Sequence, residues 1–229
     1  MKLVINDRIF QEINGLQVGV VIVKDVNNSR KIDLSREYQI EKARIKEKFA
    51  DIELPEYPVI RKWRDIYKSF GEKKARSSVE SLIRRILNDK EPSSINPLVD
   101  IYNLISLKYE MPCGGENLDT IDGNIELTYA NGNEMFIPLG ETASENPNLG
   151  EIIYKSGDTV MCRNFNYRES DLTKLTPDTK NAILVIENIG VDNLSAALNN
   201  LAKMIQEKLG GTAEIKILDS ENSSVILDE

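Results

Sequence analysis

The chain changes its hydrophobic period at Pro112. From Ser35 up to that proline, apolar side chains recur at helical spacing, and beyond Gly115 they alternate. A period of 3.6 fits a helix with one buried face, whereas a period of two fits a strand lying on a core. A chain that carries both in this order is confined to mixed α and β architectures, with its helices largely on the N-terminal side. The junction itself, from Asn103 to Gly140, brings an amphipathic helix to a proline that cannot continue it. Gly114 and Gly115 follow, free to take positive φ or to let a bound group approach the backbone closely. Glu116 and Asp119 then add two carboxylates. Proline and glycine also punctuate ordinary turns, so these residues alone leave both a plain turn and a ligand site open.

Ahead of the junction, the largely apolar stretch Leu16–Val26 predicts a buried strand, preceded by a shorter one at Lys2–Ile5 or Ile9–Ile13. A helix from Asp33 or Ser35 to Ala50 turns Leu34, Tyr38, Ile45 and Phe49 to one face, and Leu54–Pro58 breaks it. A second helix, Pro58 to Phe70, lines up Val59, Trp63, Ile66, Tyr67 and Phe70. Ser77 and Glu80 form a capping box that opens a third helix to about Leu87, and Asn96-Pro97 opens a fourth with Leu98, Ile101, Tyr102 and Ile105 inward.

Beyond the junction, Asn124–Tyr129 and Glu134–Pro138 flank Asn131-Gly132, which predicts a hairpin. Gly150–Tyr154 and Asp158–Arg163 flank Ser156-Gly157 in the same way. Ala182–Ile186 is a buried strand ending at Glu187. Asp192 is placed to cap a helix using Leu194, Leu198, Leu201, Ile205 and Leu209, which Gly210-Gly211 closes. Thr212–Leu218 alternates as a last strand, and the acidic tail after it is expected to fray.

At 229 residues the chain is long enough for a sizeable core, and a single domain over 1–229 is expected, with 1–57 as an N-terminal strand-helix extension. No apolar run approaches the roughly 20 residues of a membrane helix, and the apolar segment after Met1 is too short for a secretory signal. No membrane partner and a cytoplasmic location are therefore expected. Cys113 and Cys162 make neither a disulfide framework nor a metal-ligand pattern.

The chain contains no histidine. That excludes Ser-His-Asp and Cys-His nucleophile activation and histidine-rich zinc sites. Any catalysis has to use carboxylates, amides, hydroxyls, Arg or Lys, or backbone groups. The net charge of −8 is uneven: residues 24–91 hold 18 Lys/Arg against 13 Asp/Glu, and residues 92–229 hold 9 against 22. The acidic total argues against indiscriminate nucleic-acid binding, while the basic stretch allows a local phosphate-contacting face or simply solvates helix exteriors.

Several segments in order resemble one known family. They are Trp63–Tyr67, Ser77–Arg85, Ile95–Leu107, Pro112–Asp119, Cys162–Ser170 and Thr176–Thr179. Together they resemble the freestanding relatives of the B3/B4 domain of the phenylalanyl-tRNA synthetase β subunit, over about residues 60–210. In the synthetase that domain hydrolyses tyrosine mischarged onto the phenylalanine tRNA. The resemblance implies an α+β fold with helices packed on a β-sandwich-like sheet system, and a B3/B4-like unit over 58–218. The synthetase pattern Pro-Leu-His-Ala-Phe-Asp falls on Pro112–Asn117, so the histidine associated with the editing pocket is Gly114 here. The family's Thr-rich segment leading into a strand falls on Thr176–Glu187, and Glu187 matches the glutamate that contacts the non-cognate side chain.

Hydrolysis of an aminoacyl ester needs a positioned water, stabilisation of the oxyanion and a pocket for the wrong amino acid, and such esters are already activated. Gly114 and Gly115 can offer backbone N–H groups, while Glu116, Asp119 or Glu187 can orient water or bind the substrate ammonium. For phosphate contact the candidates are Arg61, Lys62, Arg64, Lys68, Arg84, Arg85, Arg163 and Arg168. Plainer roles stand beside these. Glu187 can be a satisfied buried carboxylate, and Arg163 and Arg168 can pair with Glu169 or Asp171. Trp63 and Tyr67 fit a core better than a base-stacking platform, and Ser77 with Glu80 fits a helix cap alone. The expected function is a tRNA-binding protein acting in trans to deacylate aminoacyl-tRNA. The alternatives are a tRNA- or RNA-binding module without hydrolysis and, more remotely, a small-molecule amino-acid binder or hydrolase. No cofactor, no metal and no DNA partner are expected.

Overall fold

The computed structural model describes residues 1–90 and 94–228. Lys2–Ile5 (β1) and Leu16–Lys24 (β2) flank a short helix, Asp7–Glu12 (α1), so the first strand lies at the earlier of the two expected places. Asn6 ends that strand by accepting a hydrogen bond from the Arg8 backbone N–H, and Ile9 and Phe10 are buried beneath the helix. Ser35–Lys48 (α2), Pro58–Ser69 (α3), Ser78–Leu87 (α4) and Pro97–Tyr109 (α5) follow. Proline opens α3 and α5, where the N–H it lacks has no intrahelical acceptor to meet.

The remaining elements are Cys113–Asn117 (β3), Ile125–Tyr129 (β4), Ile152–Ser156 (β5), Thr159–Arg163 (β6), Arg168–Glu169 (β7), Ala182–Ile189 (β8), Leu194–Leu209 (α6), Thr212–Leu218 (β9) and Ser224–Ile226 (β10). They form two sheets. One has the order β10-β1-β4-β5-β6-β7 and the other β3-β8-β2-β9. The four-stranded sheet is the middle layer. On β2, Val18, Val20 and Ile22 meet Leu3, Ile5, Leu127 and Tyr154 of the six-stranded sheet. Val21 and Val23 on the opposite face pack under α5 and α6 with Ile101, Ile105, Leu198 and Ile205. Burial on both faces explains why β2 is continuously apolar rather than alternating. The expected α+β class, helices on a sandwich-like pair of sheets, is the architecture the chain adopts. A third apolar cluster, with Ile45, Ile60, Ile83 and Leu107, joins α2 through α5.

Three local expectations are corrected. Glu134–Pro138 does not return along β4. β4 pairs with β1 and β5 instead, and Phe136 bridges to Glu145. The turn at Asn131-Gly132 exists, but the Glu134 carboxylate accepts its two N–H groups and sends the chain away. Asp192 does not cap α6: the N-cap is Asn193, without a side-chain hydrogen bond. The tail does not fray throughout, because Ser224–Ile226 pairs antiparallel with β1 at the edge of the larger sheet.

Candidate functional site between the two sheets

β3 pairs antiparallel with β8, setting Gly114 opposite Val185 and Glu116 opposite Ile183. Along β8 the side chains alternate. Leu184 and Ile186 join the core under α5 and α6, while Ile183 and Val185 pack toward the six-stranded sheet and Glu187 shares their face. Gly114, Gly115, Glu116, Glu169 and Glu187 therefore border one inter-sheet cavity, with Tyr154, Cys162, Phe165 and Asn166 closing it. Its volume of ≈ 20 Å³ has room for about one water molecule.

Glu187 is 1% exposed. Its Oε1 accepts from the Tyr154 hydroxyl at 3.1 Å and its Oε2 from Asn166 Nδ2 at 3.0 Å. Asn166 Oδ1 in turn accepts from the Tyr67 hydroxyl and the Ser78 backbone N–H, which fixes the amide with its NH2 toward Glu187. Burial pushes the Glu187 carboxyl up to about 8, against the opposing pull of those two donors. Asn164 and Phe165, with φ of 50° and 60°, form the turn that presents Asn166. The Phe165 ring meets Trp63 edge-on at 5.6 Å, so Trp63 is core, as expected.

Glu116 and Glu169 form a second acidic unit. Their carboxyls hydrogen-bond to each other, and no Lys or Arg is among the groups that border the cavity. Burial pushes both upward, Glu116 well above the ordinary range with the Glu169 charge adding to it, and Glu169 to about 7. Two carboxyls in contact hold one proton between them. Thr173, 3% exposed and lying beside Glu116, has a hydroxyl with no fully formed hydrogen bond. Glu169 Oε1 stands over Gly114, 3.2 Å from where a Cβ would be. A Cβ on Gly115 would point the other way, 2.3 Å from Leu184 Cδ2 in the helix-side core. Only the backbone of Gly115 faces the cavity.

Asp119 stands apart from the cavity. Its carboxylate accepts from the Lys180 and Asn181 backbone N–H groups and from Asn181 Nδ2, latching the loop before β8. Arg61, Lys62, Lys68, Arg84 and Arg85 are exposed along α3 and α4. Glu80 does more than the expected cap. Its backbone N–H does donate to Ser77 Oγ, but its fully buried carboxylate also binds Arg64 and Arg84, with Arg76 nearby. Arg163 is buried and clamps Glu151 through two bonds, and Arg168 pairs with Glu145, so neither uses the expected partners Glu169 or Asp171. Glu169 was legible only as a possible ion-pair partner. Tyr154 and Asn166 carry no motif that marks them as cavity residues, because the sheet pairing brings them there.

Among the described residues, no group of three His, Cys, Asp or Glu side chains is placed to hold a metal ion, and no helix is long and apolar enough to cross a membrane. The B3/4 domain family model matches residues 62–210. No curated protein matches the sequence. Among solved structures, an N-terminal fragment of the phenylalanyl-tRNA synthetase beta-subunit from Pyrococcus horikoshii is similar at 14% identity and a TM-score of 0.47. The similarity covers 92% of this chain and 49% of that one, so the chain spans about half the length of the fragment.

Proposed function

Because the chain belongs to the B3/4 domain family, we propose that it binds tRNA and acts in trans on aminoacyl-tRNA, clearing a mischarged amino acid by ester hydrolysis. The observation that carries this reading is the inter-sheet cavity, where Glu187 sits oriented by Tyr154 and Asn166 beside the Glu116–Glu169 pair and a side-chain-free Gly114. Glu187 is the recognition carboxylate. Gly114 lets the ester approach the backbone, and β3 is an edge strand, so the N–H groups of Cys113 and Gly115 point away from β8 and can meet an oxyanion, while that of Asn117 is already donated to the Thr173 carbonyl. The exposed basic residues of α3 and α4, Arg61, Lys62, Lys68, Arg84 and Arg85, supply phosphate contacts. Asp119 supports the loop before β8 rather than the substrate.

A second reading is a tRNA-binding module without hydrolysis. Glycine at the position of the family histidine favours it, and so does a cavity with room for one water. Deacylation of tyrosyl-, alanyl- and seryl-tRNA by the wild-type protein, measured beside uncharged tRNA binding, separates the two. Turnover above the uncatalysed background on any of the three supports the hydrolase. Background rates with normal tRNA binding leave the binding module, and absence of both discards both readings.

A further inference from the structure

We propose that Glu169, hydrogen-bonded to Glu116 at the inter-sheet cavity, is the group that takes the proton from the hydrolytic water. This rests on the hydrolytic reading above. With no histidine in the chain, the acceptor of a water proton near neutral pH has to be another side chain, and a carboxylate is the natural choice. The strongly buried carboxylates elsewhere are committed. Glu80 is held by arginines, Glu110 by Arg44, Lys48 and Tyr57, Glu134 by backbone N–H groups, and Glu151 by Arg163. At the cavity, both oxygens of Glu187 already accept hydrogen bonds.

Among the described residues, no cation pairs with Glu116 or Glu169. Glu169 is the more exposed of the two, its Oε1 stands over the bare Gly114 backbone, and the space it borders has the size of one water. The titratable groups facing Glu169 are Glu116 from β3, Cys162 from β6, Glu187 from β8, Tyr154 from β5 and Tyr102 from α5. Burial pushes the Glu169 carboxyl up to about 7, against the opposing pull of hydrogen bonds from Glu116 and Cys162, so it is poised to titrate near neutrality.

In the step, the water oxygen bonds to the ester carbonyl carbon and its proton passes to Glu169. The bond from that carbon to the ribose oxygen then breaks, and the leaving oxygen takes a proton back from the carboxyl pair. The products are the free amino acid and the tRNA hydroxyl, with no change of oxidation state.

The test measures kcat/KM for deacylation of tyrosyl-, alanyl- and seryl-tRNA against pH. For wild type, the expectation is an acid limb between about pH 5 and 8. Glu169→Gln, which keeps size and hydrogen bonding, should lose that limb and about 100-fold or more in rate, with uncharged tRNA bound normally. Glu169→Ala should be similarly slow and be partly rescued by added formate, which a merely structural role would not allow. A Glu169→Gln rate and profile equal to wild type overturns the assignment while leaving hydrolysis standing. A wild-type profile with no acid limb overturns it too, whatever the stability of the variants. No turnover by wild type removes both this inference and the hydrolytic reading.

Discussion

Tyr154 of β5 and Glu187 of β8 meet across the gap between the two sheets, the phenol donating to Glu187 Oε1 at 3.1 Å. Both side chains are buried, and the bond ties the six-stranded sheet to the four-stranded one beside the cavity. The protein thus presents its own phenol to the carboxylate that the proposed function assigns to substrate recognition. On that proposal, a substrate phenol would compete with Tyr154 for the same oxygen.

Tyr154→Phe keeps the ring and removes the donor. Leaving Glu187 Oε1 short of a partner should cost about 1–3 kcal/mol, read by urea denaturation. On the hydrolytic reading it should also shift the relative rates among the three aminoacyl-tRNAs toward tyrosyl-tRNA, since the oxygen becomes available. Unchanged stability would mean that the bond contributes nothing in solution.

Glu187 also sets a pH dependence. Its carboxyl titrates at about 8 in the folded chain, against an ordinary value of 4.5. Between those values the folded state holds a proton that the unfolded state has lost, so stability falls as pH rises, by up to about 1.4 kcal/mol per unit from this group. The favourable contribution is complete below pH 4.5 and gone above about 8. Glu187→Gln should therefore flatten the decline. It is checked by denaturation midpoints at pH 5 and pH 8.5, where the variant should gain on wild type only at the higher value.

The alternation of β3 makes a contrast between neighbouring glycines. Gly115→Val drives atoms into Leu184 and Leu175, and an overpacked core costs about 1–3 kcal/mol or more. Gly114→Ala comes close to Glu169 Oε1 alone, the end of a flexible side chain, with Val185 Cγ2 at an ordinary contact distance. The first should lower the melting temperature, and the second should leave it near wild type while changing the titration of the Glu116–Glu169 pair. Carboxyl 13C shifts followed against pH would show it. Equal melting effects would place both glycines on one face.

Much of the fold was legible because it rests on local patterns. The apolar run of β2 marked a buried strand, and the caps at Ser77 and Asn96 fixed two helix starts. Gly114 and Glu187 were legible through the resemblance, and Glu116 as a carboxylate directly after the two glycines. What was not legible is non-local. Tyr154 and Asn166 reach the cavity through the pairing of β5 with β6 and the left-handed turn at Asn164-Phe165, and neither follows from spacing along the chain. Asn131-Gly132 misled because a tight turn announces a change of direction without naming the next partner, and Glu134 supplied the acceptor that redirected it.

The basic face of α3 and α4 divides by what each cation already holds. Arg64 is bonded twice to the fully buried Glu80, which keeps Arg84 and Arg76 when it is removed, so the loss is that of charged hydrogen bonds, about 1.5–3 kcal/mol. Arg61 and Lys68 pair only with exposed partners, Glu56 and Asp65, and Arg85 is exposed on α4. Such surface pairs are worth little to stability and exchange readily for phosphate. The triple variant Arg61→Ala, Lys68→Ala, Arg85→Ala should therefore melt near wild type. It should bind tRNA more weakly, with the slope of log affinity against log salt reduced by about 0.7–0.9 for each phosphate no longer neutralised. Arg64→Ala should instead lower stability, with any loss of binding tracking the unfolded fraction. Unchanged affinity and salt slope in the triple variant would move the tRNA surface away from α3 and α4.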